Sequence, residues 1–451
     1  MISFTAIITI VAFIITMILI FWRPWGINEA IPATLGAILV FLSGSLSPED
    51  ILDINTKVVG ASITIIATMV MALTLESIGF FRWVATRLLI MSKGSGIRLF
   101  WLTNLLCFSI TLFLNNDGSI LITTPVLLLI LKSVNLKNTE KLPYLISGAL
   151  IATASSTPIG LSNIVNLISL KIIGMDLYLY TLMMFVPGTI SVIFLATILY
   201  IIFHKKIPKK LPYLSTNRDH AQLSIMQPLK SALNENETKR QSKLMVIVLT
   251  FVFVVRILIF VASYFHIPEY LVAMLSAFLL LGWRWFYLKL NPLDMLKKTP
   301  WYIFIFAYTM YIIVYGLHNI GMTDLVVILT EPIIQDNLFY ATMIMGTIIS
   351  LMSNIFNNHP ALMIGTLTIT QLGLDPIILK TIYLASIIGS DIGSLLLPTG
   401  TLATLIWFHL LKKNKIKISW GEYLKVTGLA IPATVVFSLT ILYLWIYLFF
   451  Y

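Results

Sequence analysis

Two long apolar stretches of this chain are each broken in the middle by a pair of asparagines. Asn115-Asn116-Asp117-Gly118 interrupts the first, and Asn357-Asn358-His359-Pro360 interrupts the second 242 positions later. Polar side chains that deep in apolar sequence cost free energy unless they have a partner or a function. Runs such as 1–21, 244–260 and 431–451 approach the roughly 20 apolar residues needed to cross a bilayer. Of the 451 residues, 58% are hydrophobic and 11% charged, against about 25% charged in a soluble domain. The chain therefore reads as an all-α polytopic membrane protein. The run 1–21 lacks a basic start and a small-residue cleavage site, so it reads as a retained span.

Other landmarks keep the same spacing. Glu76-Ser77-Ile78-Gly79 is echoed by His318-Asn319-Ile320-Gly321, 242 positions on, and Pro158-Ile159-Gly160 by Pro398-Thr399-Gly400, 240 positions on. Three matches in one order imply two copies of one unit, 1–203 and 244–451, joined by a Pro-, Asn-, Lys- and Glu-rich linker, 204–243, with no apolar period. Each copy reads as three spans (near 3–22, 30–45 and 58–77, or 244–262, 268–283 and 301–317) and then the asparagine-broken stretch. A segment interrupted by Gly, Pro, Ser and Thr and a closing span follow. In the first copy both arms, 99–114 and 119–131, are too short for a core of about 30 Å; in the second, 338–356 could nearly span alone but 361–370 could not. Each broken stretch therefore reads as a re-entrant hairpin with the asparagines at its tip. Non-helical backbone at that depth needs protein or a wet cavity around it.

Loop charge supports about five crossings per copy. An odd number inverts the second copy relative to the first. The linker carries nine Lys and Arg residues, so it belongs in the cytoplasm. Alternation then places the basic loops 79–98, 283–300 and 408–422 on the same side. It places 46–57, with Glu49, Asp50 and Asp53, and 318–337, with Asp324, Glu331 and Asp336, outside, together with both termini. The net charge of +11 is thus an orientation signal and not a nucleic-acid one.

Inverted repeats with broken helices point to a secondary transporter whose site lies near the bilayer midplane. The parts of that site are the two hairpin tips and the interrupted segments 153–166 and 389–401. Asn115, Asn116, Asn357, Asn358, Ser156, Ser162, Asn163 and Thr399 are the candidate solute-binding residues. A carboxylate shielded from water can take up and release a proton near neutrality. That nominates Asp117 and Asp391 for proton coupling, with His359, the counterpart of Asp117, beside them. Each has a plainer reading: a turn at the tip for Asp117, a helix cap for Asp391, a neutral hairpin cap for His359. Glu76 lies near a span end and reads as interfacial. No enzyme signature, phosphate-cradling loop or His/Cys metal spacing is present. No cofactor or bound metal is expected, and the single cysteine, Cys107, excludes disulfides within the chain.

Several stretches resemble the ArsB-type arsenite/antimonite efflux permeases, within the ion-transporter superfamily that includes dicarboxylate carriers. They are Leu75-Glu76-Ser77-Ile78-Gly79-Phe80-Phe81; Asn116-Asp117-Gly118 with Thr124-Pro125; Pro158 with Ser162-Asn163-Ile164-Val165-Asn166; Asn357-Asn358 with Pro360; Ile388-Gly389-Ser390-Asp391-Ile392-Gly393 with Pro398 and 402–409; and Ile418-Ser419-Trp420-Gly421. The chain departs from the family pattern at Thr153, where the family has Asp, at Ser394-Leu395, where it has Pro-Lys, and at Ser77, where it has a second acidic residue. The resemblance implies efflux of arsenite or antimonite across the cell membrane. It also implies that some members pair with a soluble arsenite-stimulated ATPase. A homodimer is a further expected partnership. With no thiolate cage available for a soft metalloid, arsenite has to travel as a neutral trihydroxide held by hydroxyls and amides. A sodium/proton antiporter or small-anion carrier of the same architecture is the rival.

Overall fold

The structure is a computed structural model that describes residues 3–211, 235–334 and 337–451. Among these, nineteen α-helices and three short 3-10 turns account for the regular structure, with no strand. Ten helices are long and apolar enough to cross a membrane. Most of the linker, residues 212–234, lies outside the described residues.

The first half runs α1 (Phe4–Trp22), α2 (Ala30–Leu42), α3 (Pro48–Ser77), α4 (Phe80–Ser92), α5 (Gly96–Phe113), α6 (Asn116–Ser133), α7 (Asn138–Ala154), α8 (Ile164–Ile173) and α9 (Leu177–Phe203). The second runs α10 (Glu235–Tyr264), α11 (Glu269–Leu288), α12 (Leu293–Lys298), α13 (Tyr302–Asn319), α14 (Met322–Ile334), α15 (Leu338–Phe356), α16 (Asn358–Gln371), α17 (Pro376–Asp391), α18 (Leu402–Lys413) and α19 (Trp420–Phe449). Helix α10 therefore starts inside the segment that composition marks as linker. The asparagine pairs break helix from helix: α5 and α6 meet at Asn115, and α15 and α16 at Asn357. The 18 residues of α5 reach about 27 Å. The two interrupted segments are helix, turn, helix: α7–α8 around Gly160–Ser162, and α17–α18 around Gly393–Leu396. Local sequence sets the other ends in ordinary ways. Ser47 and Asp50 form a reciprocal capping box at α3, with Pro48 in the first turn, and Ser419 and Glu422 form one at α19.

Loops that alternation assigns to one side meet one another. At one end of the bundle the Leu211 amide donates to Gly94 O (2.8 Å), Tyr144 Oη to Gly96 O (3.0 Å) and Trp83 Nε1 to Ser242 Oγ (3.1 Å). Buried Arg284 binds Asp294 through two nitrogens (2.9 and 2.8 Å) and reaches Ser77 Oγ at 3.0 Å. Those hydrogen bonds from Arg284 hold the Asp294 carboxyl below the usual carboxylate range. At the other end Asn319 Nδ2 donates to Asp50 Oδ2 (2.9 Å), Tyr315 Oη to Asp53 (3.3 Å) and Gln371 Nε2 to Asp324 (3.3 Å). The open side of the α5–α6 hairpin lies with the first group, and that of α15–α16 with the second.

Packing crosses between the halves. The second arm of each hairpin lies against the post-break helix of the other half: α6 against α18, and α16 against α8. The closing helices α9 and α19 pack together, with Phe194 stacked on Phe437 at 3.8 Å between centroids. Helix α17 meets α15 so closely that a Cβ at Gly389 would press on the Gly346 carbonyl, and one at Gly393 on Ser350. Gly389→Ala is therefore expected to force these helices apart, at about 1–3 kcal/mol for overpacking. Thermal unfolding in detergent would show a lower midpoint, and an unchanged midpoint would contradict the close approach.

Candidate functional site

Four helices begin inside the protein rather than at its ends, and each is capped by a side chain from the sequence candidates or their neighbours. Asn115 Oδ1 accepts from the Gly118 amide at α6 (2.7 Å), and Asn163 Oδ1 from Val165 at α8 (3.2 Å). Asn357 Oδ1 accepts from His359 at α16 (3.4 Å), and Thr401 Oγ1 from Thr404 at α18 (3.0 Å). Unpaired amides and the positive end of the helix dipole gather at such starts. Asp391, which the sequence also allowed as a cap, is the last residue of α17; Thr401 is the cap after that break.

Asp391 has no exposed surface. Among the described residues, every hydrogen bond its carboxylate accepts comes from the other half of the chain. Asn163 Nδ2 donates to Oδ1 at 2.9 Å; Asn166 Nδ2 and Ser156 Oγ each donate to Oδ2 at 2.7 Å. Ser156 Oγ also lies 2.8 Å from Thr153 O. A hydroxyl has one hydrogen and two lone pairs, so Ser156 serves either state of its neighbour. With Asp391 ionised, the hydroxyl donates to Oδ2. With a proton on Oδ2, the carboxyl donates to Ser156 Oγ, and the hydroxyl turns to Thr153 O. Neither state leaves the Asp391 carboxyl or the Ser156 hydroxyl without a partner. Two buried tyrosines brace this centre: Tyr180 Oη donates to Thr157 O (2.7 Å) and Tyr383 Oη to Asn166 O (2.8 Å).

Each hairpin tip docks on the break of its own half. At the first, Thr111 Oγ1 bonds Ala152 O and Ser119 Oγ, both at 2.7 Å, and Ser162 Oγ reaches Leu112 O at 3.4 Å. At the second, the Asn358 amide donates to Gly400 O (2.9 Å) and Asn357 Nδ2 to Thr399 O (3.4 Å). Asn357 has φ 73° and ψ 153°, a region close to glycine-only whose cost is about 1–3 kcal/mol. The first tip is relaxed, with Asn115 at φ −168°. Asn116 is buried at the start of α6. Asp117 is the second residue of that helix, and its side chain lies outside the described ones. His359 is buried at the second tip, its ring 5.3 Å from that of Phe306.

Several polar atoms at these tips and breaks are buried and make no hydrogen bond among the described residues: Asn115 Nδ2, Thr157 Oγ1, Asn166 Oδ1, Asn358 Oδ1, His359 Nδ1 and Ser394 Oγ. Leaving such a group unpaired costs about 1–3 kcal/mol, and the set includes both donors and acceptors. No group of three or more His, Cys, Asp and Glu able to hold a metal occurs among the described residues.

Three residues that the sequence reading did not name as binding or coupling residues hold the site together. Asn166 is the third donor to Asp391. Asn354 ties α15 to the second break, donating to Gly393 O (2.9 Å) and accepting from the Leu397 amide (2.8 Å). Arg256, in the last third of α10, is buried; its Nε donates to Phe113 O at 2.6 Å and its Nη2 to Leu114 O, closing the end of α5 at the first tip. A lone arginine in an apolar span was the available signal.

The family described as arsenical pump membrane protein matches residues 8–446. The chain is 60% identical over 435 residues to a putative arsenical pump membrane protein of Bacillus subtilis (strain 168), covering 96% of this chain and 98% of that one. It is 29% identical over 425 residues to the arsenical pump membrane protein of Escherichia coli (strain K12), covering 94% and 95%. Over the same length it is 28% identical to that of Yersinia enterocolitica.

Proposed function

Because this chain belongs to the arsenical pump membrane protein family, we propose that it exports arsenite or antimonite across the cell membrane in exchange for protons. The observation that carries the coupling is Asp391: a buried carboxylate in one half, held by three donors from the other, with a serine that satisfies it in both protonation states. Asp117, at the first tip, is the second proton-handling residue in this reading, and His359 the third. The solute is the neutral trihydroxide. Its hydroxyls both donate and accept, which matches the unpaired amide and hydroxyl atoms at the tips and breaks. Weak contacts of this kind suit a carrier, which also has to release its cargo.

The two halves act as inverted repeats, one hairpin entering from each membrane face. The opposite placement of the hairpins' open ends supports this. So does the meeting of the basic loops at one end, whose charge favours the cytoplasmic side. Alternating access follows from motion of hairpins and broken helices against the remaining spans. The basic end is also where a soluble ATPase would dock.

Inverted membrane vesicles test the reading. Arsenite is expected to accumulate when the lumen is acidic and to leak away when a protonophore collapses the gradient. Sodium-driven flux with no response to arsenite would overturn it in favour of the sodium/proton antiporter or small-anion carrier.

A further inference from the structure

A cavity of about 270 Å³, with both apolar and charged residues in its walls, opens between α3, α8 and the turn joining α10 to α11. Its walls include Lys57, Thr64, Lys171, His266 and Glu269, and Lys171 Nζ pairs with Glu269 at 3.0 Å. The end of the bundle where it opens is the one that carries Asp50 and Asp53, since Thr56 and Lys57 line it too. Its inner wall on α8 is Leu167, which is 1% exposed.

Leu167 lies one turn below Asn163, as its amide donates to Asn163 O at 3.2 Å. Helical side chains lean toward the N-terminus and cover the turn before their own Cα. Leu167 thus covers the Asn163 level of α8. Asn163 is the donor to Asp391 Oδ1 (2.9 Å), and neither of these two residues has exposed surface. Leu167 and Lys171 are four residues apart on one face of α8, and Asn163 is the N-cap of that helix. About 6 Å of helix rise separates Leu167 from Asn163. Water therefore reaches Leu167 from one side, and the buried carboxylate network starts one turn beyond it.

We infer that this cavity is the vestibule through which the hydroxylated solute and the proton reach Asp391 from one face of the membrane, and that Leu167 is the gate between them. This rests on the transport reading above, which supplies the traffic. Walls carrying charges of both signs suit a neutral hydroxylated solute and its water. A purely apolar dead end would serve neither.

The test uses the full chain in membranes, in a Cys107→Ser background, since the native thiol is buried. Thr64→Cys and Leu167→Cys are labelled with a membrane-impermeant maleimide, alongside Leu170→Cys, which is equally buried but off the cavity wall. Thr64→Cys and Leu167→Cys are expected to react at least tenfold faster than Leu170→Cys, and from one membrane face only. Leu167→Ala is expected to raise gradient-independent arsenite equilibration several-fold. Labelling of both cavity cysteines no faster than Leu170→Cys overturns the vestibule and gate while wild-type arsenite flux continues. Absence of wild-type flux overturns the transport reading instead, and leaves the labelling pattern as it was.

Discussion

Asp391→Asn is expected to abolish proton-driven arsenite accumulation, by 100-fold or more, in protein that still folds. The change is nearly isosteric but alters both features that the centre depends on. Asparagine offers a carboxamide with one acceptor oxygen where the carboxylate offers two. Its NH2 has to face either Asn163 Nδ2 or the pair Ser156 Oγ and Asn166 Nδ2, all of which donate to Asp391 in the native protein. Hydrogen bonds to a charged group contribute about 1.5–3 kcal/mol each, so at least one such bond becomes a donor–donor contact. The amide also has no proton to exchange. Asp391→Glu keeps the chemistry but lengthens the arm, and is expected to retain partial flux. Both are read in inverted vesicles under an imposed pH gradient. Full gradient-driven accumulation by Asp391→Asn would remove this residue from the coupling.

Arg256→Met is expected to have the next largest effect, on stability and transport together. Methionine keeps much of the apolar stem, but leaves the Phe113 and Leu114 carbonyls without the guanidinium that closes α5. Two buried carbonyls losing a charged donor amount to about 2–6 kcal/mol, enough to loosen the hairpin tip that carries Asn115 and Asn116. Arg256→Lys keeps the charge but not the fork that reaches two acceptors, and is expected to fall between. Thermal unfolding of the purified protein measures the first effect and arsenite flux the second. A wild-type unfolding temperature for Arg256→Met would show that the tip holds itself.

What the sequence made legible was what repeats or interrupts locally. The asparagine pairs mark the helix breaks, since two amides and a Gly or Pro cannot continue an apolar helix without partners. The Pro-Gly segments mark the second pair of breaks, and loop charge sorts the ends of the bundle. Partnership across the chain stayed hidden. Asn166 looked like one polar residue at a helix start, but its partner lies 225 positions away. Arg256 caps a helix 143 positions earlier. Asn354 sits within an ordinary apolar helix, and its long-range partners, the Gly393 carbonyl and the Leu397 amide, come only with the turn after α17. The plainer reading of Asp391, a cap on the next helix, fails because the turn after α17 extends to Leu397, and Thr401, ten residues beyond the carboxylate, caps α18.

Under the proposed inverted-repeat organisation, the crossed ownership of the Asp391 network has a consequence for the history of the two copies. Positions 240 after the three donors, at the spacing that relates the two prolines, are Leu396, Ala403 and Ile406, none with a hydrogen-bonding side chain. Two second halves paired symmetrically would bring two carboxylates and no donors; two first halves, donors and no carboxylate. The copies have become complementary specialists. Neither can return to life as a symmetric pair, and the chain that joins them keeps one of each together.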